Sequence, residues 1–264
     1  MGLFLFPACE GGQGFRVIAK ALQNMTLIYL WEAQMKFHHA LLAIASTVFL
    51  AACGTAPQQP VAMASGSSVS TGTKVGVVMS VVPPVDTYLP GAGCLLCYAA
   101  AAMANSSLTS HVKTLPSDDL LQLREEIAAS MKKKGAQVIV IDKLVSIDAL
   151  PDYPTKGVNV ARKDFSALAR QYQVDKLVVI EWSGVGVERT YSSYVPTSDP
   201  KGMVRGFGYL VNVANNAYEW YQPIDVLKGA VGNWDEPPKF PGVTNAYFQA
   251  LESARDQLAK PFVN

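Results

Sequence analysis

Two thiols three residues apart, Cys94-Leu95-Leu96-Cys97, are the densest chemical feature of the chain. At that spacing they can close a small disulfide in an oxidising compartment. They can also cycle between thiol and disulfide if the first sits at the start of a helix, where partial positive charge lowers a thiol pKa. Ala99 to Ala104 supply residues for such a helix. Tyr98 stands where a c-type haem attachment sequence needs His, and the strand-to-helix setting of a thioredoxin motif is absent. A structural or buried pair is therefore the plain reading of Cys94 and Cys97, and redox catalysis the sharper one.

Other chemistry is thin. His38 and His39 lie in an apolar leader, which leaves His111, and one imidazole builds neither a multi-His metal site nor a triad by itself. It reads as a loop residue. Gly184-Val185-Gly186 and Gly206-Phe207-Gly208 lack the third glycine and the helix-opening context of a dinucleotide loop, and there is no Gly-Lys-Ser/Thr phosphate cradle. Both read as strand glycines. With 22 Lys and Arg against 21 Asp and Glu, the chain lacks the basic excess that a nucleic-acid backbone requires. The expectation is no catalytic residue, no metal, no cofactor and no nucleic acid.

Half of the 264 residues are hydrophobic, and the excess sits in the first 53 residues and near residue 100. Met35-Lys36-Phe37-His38-His39 gives a basic start, Ala40 to Phe49 an apolar run, and Leu50-Ala51-Ala52-Cys53-Gly54 small residues at a cut site. Those are the three parts of a secretory signal. The apolar run falls short of the roughly 20 residues that span a bilayer. Leu50-Ala51-Ala52-Cys53 resembles the lipobox of bacterial lipoproteins. The resemblance implies cleavage before Cys53 and acylation there, an anchor worth roughly 0.8 kcal/mol per buried methylene. Gly54, rather than Asp, resembles lipoproteins sorted to the outer membrane, so the expected location is that membrane's periplasmic face. On this reading residues 1–34 are a spurious extension, 35–52 the signal peptide, and 53–73 the lipidated Cys with an uncharged flexible tether. Residues 74–264 then form one periplasmic domain.

Within that domain, Val75 to Val82 reads as a strand buried on both faces, stopped by Pro83-Pro84. After a long connection comes a helix: Ser117 can cap it, Asp118 and Asp119 suit its start, Lys132 to Lys134 suit its end, and Gly135 terminates it. Leu120, Leu123, Ile127 and Met131 form its buried stripe. Val138 to Ile141 is a second strand, a short helix follows Asp164, and Leu177 to Trp182 is a third strand. Two long strands, about 203–213 and 217–227, turn at Asn215-Asn216. Thr244 is the expected cap of a last helix carrying Tyr247, Ala250, Leu251, Ala254 and Leu258. The order β-α-β-α-β-β-β-α calls for an α/β (α+β) fold: a mixed sheet with crossover helices and an antiparallel C-terminal hairpin.

The helix, Val-Asp turn and strand of Leu168-Ala169-Arg170-Gln171-Tyr172-Gln173-Val174-Asp175-Lys176-Leu177-Val178-Val179-Ile180 carry a resemblance, as do Tyr209-Leu210-Val211-Asn212-Val213 and Ala217-Tyr218-Glu219-Trp220. Over about residues 74 to 260 the pattern resembles the α/β domain shared by the TolB amino-terminal domain, the curli-secretion-channel lipoproteins and the lipoprotein activators of penicillin-binding proteins. Anchor, tether, adaptor-like fold and the lack of a catalytic set together lead to the expectation of a non-enzymatic accessory of a cell-envelope complex, with an envelope protein as partner. The curli likeness adds a homo-oligomer as an alternative, although its pair of long membrane-spanning strands is not seen here. Two loops rich in Tyr, Trp, Arg and Pro have interface composition. They nominate Arg189, Tyr191, Tyr194, Trp234 and Phe240, with simple loop rigidity as the rival explanation. Leu89 to Met103, apolar but too short to span, reads either as a flap packed on the domain or as a segment that touches a membrane or partner.

Overall fold

The computed structural model describes residues 57–64 and 72–263. The leader, the signal and Cys53 lie outside these residues. One compact unit runs from Gln58 to Asn264, and the other, Met1–Pro57, lies almost wholly outside the described residues.

In chain order the elements are β1 (Lys74–Met79), β2 (Asp86–Tyr88), α1 (Leu95–Ala104), α2 (Ser106–Val112), α3 (Asp119–Lys133) and β3 (Gln137–Val140). They continue with α4 (Ser166–Tyr172), β4 (Lys176–Glu188), β5 (Tyr191–Ser192), β6 (Val195–Pro196), β7 (Lys201–Asn212), β8 (Ala217–Gly229) and α5 (Pro241–Val263). The main sheet has the order β3-β1-β4-β7-β8. β3, β1 and β4 run parallel, and β4, β7 and β8 are antiparallel. The mixed α/β sheet with its C-terminal hairpin is therefore the observed architecture.

Alternation along β4 divides the core into two. Val178, Ile180 and Trp182 face a layer made by α3 and α5, where Leu120, Leu123, Ile127 and Met131 meet Tyr247, Ala250, Leu251 and Leu258. Full burial of each such Leu or Ile is worth about 1.5–3 kcal/mol. Leu177 and Val179 face the other side, covered by α4 and the preceding loop through Ile141, Ile147, Ala161, Phe165 and Ala169. The helices follow their sequence signals in part: α3 starts from an Asp118 N-cap with no side-chain cap bond rather than from Ser117. In α3, Asp119 opens and Lys132 and Lys133 close, and Gly135 ends the run at φ +90°, a conformation glycine adopts without strain. Asp164, one residue ahead of the Phe165 N-cap, accepts from the Ser166 backbone N–H at 2.8 Å and so satisfies one donor of the first turn of α4.

β4 outlasts its neighbour β1. Between Trp182 and Gly184 its pairing with β7 shifts at a bulge, and the Trp182 N–H donates to Ser80 Oγ at 2.9 Å. Beyond the bulge, Gly186 to Glu188 pair in parallel with β2 instead. The long connection after β1 is thus not loop but β2, α1 and α2, laid around the projecting half of β4. Two further departures concern the ends. The expected tether is not free throughout: Val61 exchanges both backbone hydrogen bonds with Tyr221 of β8, at 2.9 and 3.0 Å, and Gln58 Nε2 donates to Asn159 Oδ1 at 2.8 Å. Residues 58–64 are an arm lying against the domain. The last helix begins at Pro241, not at Thr244, because proline at the first helical position forfeits no bond.

Candidate functional site

The projecting end of β4 gathers most of the residues nominated from sequence. Cys94 caps α1, its sulfur accepting from the Cys97 N–H at 2.9 Å, and the two cysteines are joined by a disulfide. Cys94 is exposed, whereas Cys97 is buried with Ala92, Ala101 and Tyr191 in a small satellite core. Asn105, 1% exposed, ties this core together. Its Nδ2 donates to Ala101 O at 2.7 Å and to Tyr191 Oη at 2.6 Å, and its Oδ1 accepts from Arg189 Nη1 at 3.1 Å. The Arg189 guanidinium lies 4.6 Å over Trp234, whose ring stacks on Phe240 at 6.2 Å. Phe240 in turn neighbours His111 at 5.7 Å.

Three of the nominated interface residues, Arg189, Trp234 and Phe240, therefore form one half-buried internal stack, and Tyr194 stands exposed. Tyr191 needs correcting. It is 7% exposed, held under α1 by Asn105, and so offers no contact surface. His111 is not a loop residue either: it lies on α2, and its Nε2 meets Thr244 Oγ1 at 2.8 Å. Burial, helped by the nearby Lys239 charge, lowers its pKa.

The outer side of α1 is apolar. Leu95, Leu96, Tyr98 and Met103 are 85%, 71%, 54% and 77% exposed, and Val195 of β6 stands beside Tyr194 on the neighbouring hairpin at 63%. No Asp, Glu, Lys or Arg occurs between Asp86 and Lys113, which bracket the segment and pair with each other at 3.3 Å.

A second constellation sits on the α4 side of the sheet. Phe207 and Tyr209 of β7 and Tyr218 and Tyr221 of β8 stand together with Phe165. Centroids are 5.3 Å apart for Tyr209–Tyr218, 5.1 Å for Tyr218–Tyr221, 5.7 Å for Phe207–Tyr221 and 6.1 Å for Phe165–Tyr209. Tyr218 and Tyr221 share a face although three residues apart, because the β7–β8 register slips between Leu210 and Val211 and leaves Glu219 as the extra residue. Glu219 is held outward by Lys176 Nζ at 2.6 Å and Asn212 Nδ2 at 3.0 Å. These rings, with Gln58, Ile147, Arg162, Lys163 and Glu181, line a cleft of about 310 Å³.

Glu181 gives the cleft its charge. Its Oε2 accepts from Tyr209 Oη at 2.9 Å, its one hydrogen bond among the described residues. Burial raises its carboxyl pKa, while the Tyr209 hydroxyl and the Arg162 charge pull it back. Burial and the Glu181 charge together push the Tyr209 phenol well above its usual value, and burial pushes Tyr218 up to about 12, so both remain donors at neutral pH. Arg162 and Lys163 each have a carboxylate of their own, Asp148 and Asp152, both at 2.8 Å.

No protein-family model matches this chain, and no curated protein does. Solved structures do resemble it. The PelC dodecamer from Paraburkholderia phytofirmans is similar at 13% identity and a TM-score of 0.34, over 78% of this chain and 93% of that one. Lipoprotein GNA1162 from Neisseria meningitidis is similar at 13% identity and a TM-score of 0.25, over 69% of this chain and 96% of that one. Likeness at this level says nothing of what the chain does.

The aromatic cleft was not among the sequence expectations. One signal for it was in view: Glu181 interrupts an apolar run from Leu177 to Trp182, and an ionisable group in a buried strand needs a reason. Among the described residues there is no group of His, Cys, Asp and Glu fit to hold a metal, and no helix is long and apolar enough to cross a membrane.

Proposed function

We propose that this chain is a lipoprotein of the bacterial outer membrane, anchored at Cys53 on the periplasmic face. Its role is that of a non-enzymatic accessory of a cell-envelope complex, with a domain akin to the TolB, curli-lipoprotein and penicillin-binding-protein-activator group. One observation carries the interaction role: α1 turns Leu95, Leu96, Tyr98 and Met103 outward in a segment without charge. Folded domains rarely expose a contiguous apolar patch unless something covers it. The helix is braced from beneath by the disulfide and Asn105, so little order has to be gained on docking.

The occupant is a folded envelope protein that offers an apolar groove to a helix.

The double substitution Leu95→Glu with Leu96→Glu tests this. In crosslinked cells it is expected to abolish the co-purifying envelope protein while leaving membrane attachment and thermal stability unchanged. Retention of every partner removes α1 from the reading, and loss of a defined oligomer instead makes a second copy the occupant. The anchor has its own test, since Cys53→Ala is expected to release the protein from membranes or trap the precursor.

A second reading, thiol–disulfide exchange, is favoured by the asymmetry of the pair, with Cys94 open at a helix start and Cys97 buried. An incoming thiolate attacks Cys94 Sγ, and Cys97 leaves as thiolate. Resistance of the pair to mild reductant, followed by no alkylation of Cys94, ends that reading.

A further inference from the structure

We infer that the cleft between the β7–β8 hairpin and the loop before α4 binds a small organic ammonium ion. The inference does not depend on the anchor or on α1. Its first ground is shape: about 310 Å³ is near the lower end of ligand pockets, roughly 300–1,000 Å³, which suits a small molecule rather than a chain. Its second is surface. Phe207, Tyr209, Tyr218 and Tyr221 line the space, and an aromatic ring attracts an organic cation within about 6 Å of its centroid.

Charge decides among ligands of that size. Arg162 and Lys163 each hold a carboxylate at 2.8 Å, Asp148 and Asp152, whereas Glu181 is the lining charge without a salt bridge among the described residues. An anion would meet that carboxylate with no spare cation to hold it. A neutral apolar ligand would strip water from Glu181 and return nothing. An ammonium supplies the missing charge to Oε1, the oxygen that Tyr209 does not use, while its alkyl groups rest on the rings. The Tyr209 bond fixes the carboxylate in place beforehand, so binding does not have to order it.

A cluster present only for packing would close on itself. Here the β8 bulge turns Tyr218 onto the same face as Tyr221, and the arm at Val61 borders the opening beside Tyr221. The rings are shared with the core, Tyr209 and Tyr221 buried in it and Phe207 and Tyr218 packed against it, so the wall is ordered before a ligand arrives.

The test uses choline and its neutral isostere 3,3-dimethylbutan-1-ol, titrated into the full chain by calorimetry. Choline is expected to bind at least about tenfold more tightly than the alcohol. Glu181→Gln keeps an acceptor for Tyr209 and is expected to erase that preference, weakening choline and, with the charge's desolvation cost removed, not weakening the alcohol. Phe207→Leu, at the rim of the cleft, is expected to weaken choline more than the alcohol, which guards against a folding defect in the first variant. Equal binding of the two probes, no binding of choline, or unchanged choline affinity in Glu181→Gln overturns the assignment.

Discussion

At the level of Glu181, β4 has a paired strand on each side and a packed layer on one face, and it turns its carboxylate into a concave aromatic wall. Eight residues on, at Arg189, the strand ends, the Arg189 N–H donating to Tyr88 O at 2.9 Å, and beside it lies a helix with its apolar side outward. The first region can hold a half-buried charge because the sheet beneath it is held by both core clusters. The second rests on a satellite core around Cys97, Ala101 and Tyr191 and so depends on local devices, one disulfide and one buried asparagine. Deep packing here permits a polar cleft, and shallow packing goes with a greasy surface.

The contrast breaks most sharply at two glycines. A Cβ on Gly202 of β7 would meet Ala246 O at 2.3 Å and Tyr247 N at 2.5 Å, backbone of α5 that cannot move aside. Gly202→Ala is therefore expected to cost about 3 kcal/mol or more, read by chemical denaturation. Gly93, beside α1, has nothing within 4 Å, and Gly93→Ala is expected to change stability by less than about 0.5 kcal/mol. Similar losses at both sites would mean that the flap is as tightly built as the sheet.

Asn105→Ala addresses the flap alone. It leaves the Tyr191 hydroxyl without its donor and Arg189 Nη1 without its acceptor, both in partly or wholly buried surroundings, at a cost of about 2–3 kcal/mol. Hydrogen exchange is expected to quicken in residues 89–112 and 190–198 and to stay slow in β1 and β4. Exchange that rises evenly across the sheet would show one cooperative unit instead of two.

The two regions were also unequally legible in the sequence. The sheet and its helices followed from runs and stripes, as in Val75 to Met79 and Leu120, Leu123, Ile127 and Met131, because burial imposes those patterns directly. β2 and α2 did not, and α1 was in view only as a helix that Ala99 to Ala104 could supply, since its buried positions, Cys97 and Ala101, are too small to stand out as a stripe. Tyr191 was misplaced for a related reason: aromatic loop composition is the same whether the ring faces solvent or a buried asparagine. The cleft was hidden by the β8 bulge, because strict alternation sends Tyr218 and Tyr221 to opposite faces. The docked arm could not be foreseen either, because Pro57 to Ala64 has the composition of a linker and is held by backbone bonds that any residue can make.

The smallest effect is expected at Glu181, where pH sharpens the comparison. Its carboxyl pKa is raised in the folded protein, chiefly by burial. The protonated form is therefore favoured by folding, and its stabilising contribution is fully present below the ordinary carboxylate value and lost as pH rises through the raised one. Several charged or titratable groups face Glu181: Arg162 and Lys163 beside it, their partners Asp148 and Asp152, and the uncharged phenols of Tyr209, Tyr218 and Tyr221. Asp152 titrates in the opposite sense, because the Lys163 bond lowers its pKa and its contribution disappears as pH falls. Comparing wild type with Glu181→Gln cancels that background. The variant is expected to match wild type in acid and to become the more stable of the two as pH rises to neutrality, by less than about 1 kcal/mol. A difference in melting temperature that stays flat with pH would mean that the Glu181 carboxylate is comfortable in the cleft as it stands. A difference that opens with pH and then closes when choline is added would tie the unfavourable charge to the ligand that relieves it.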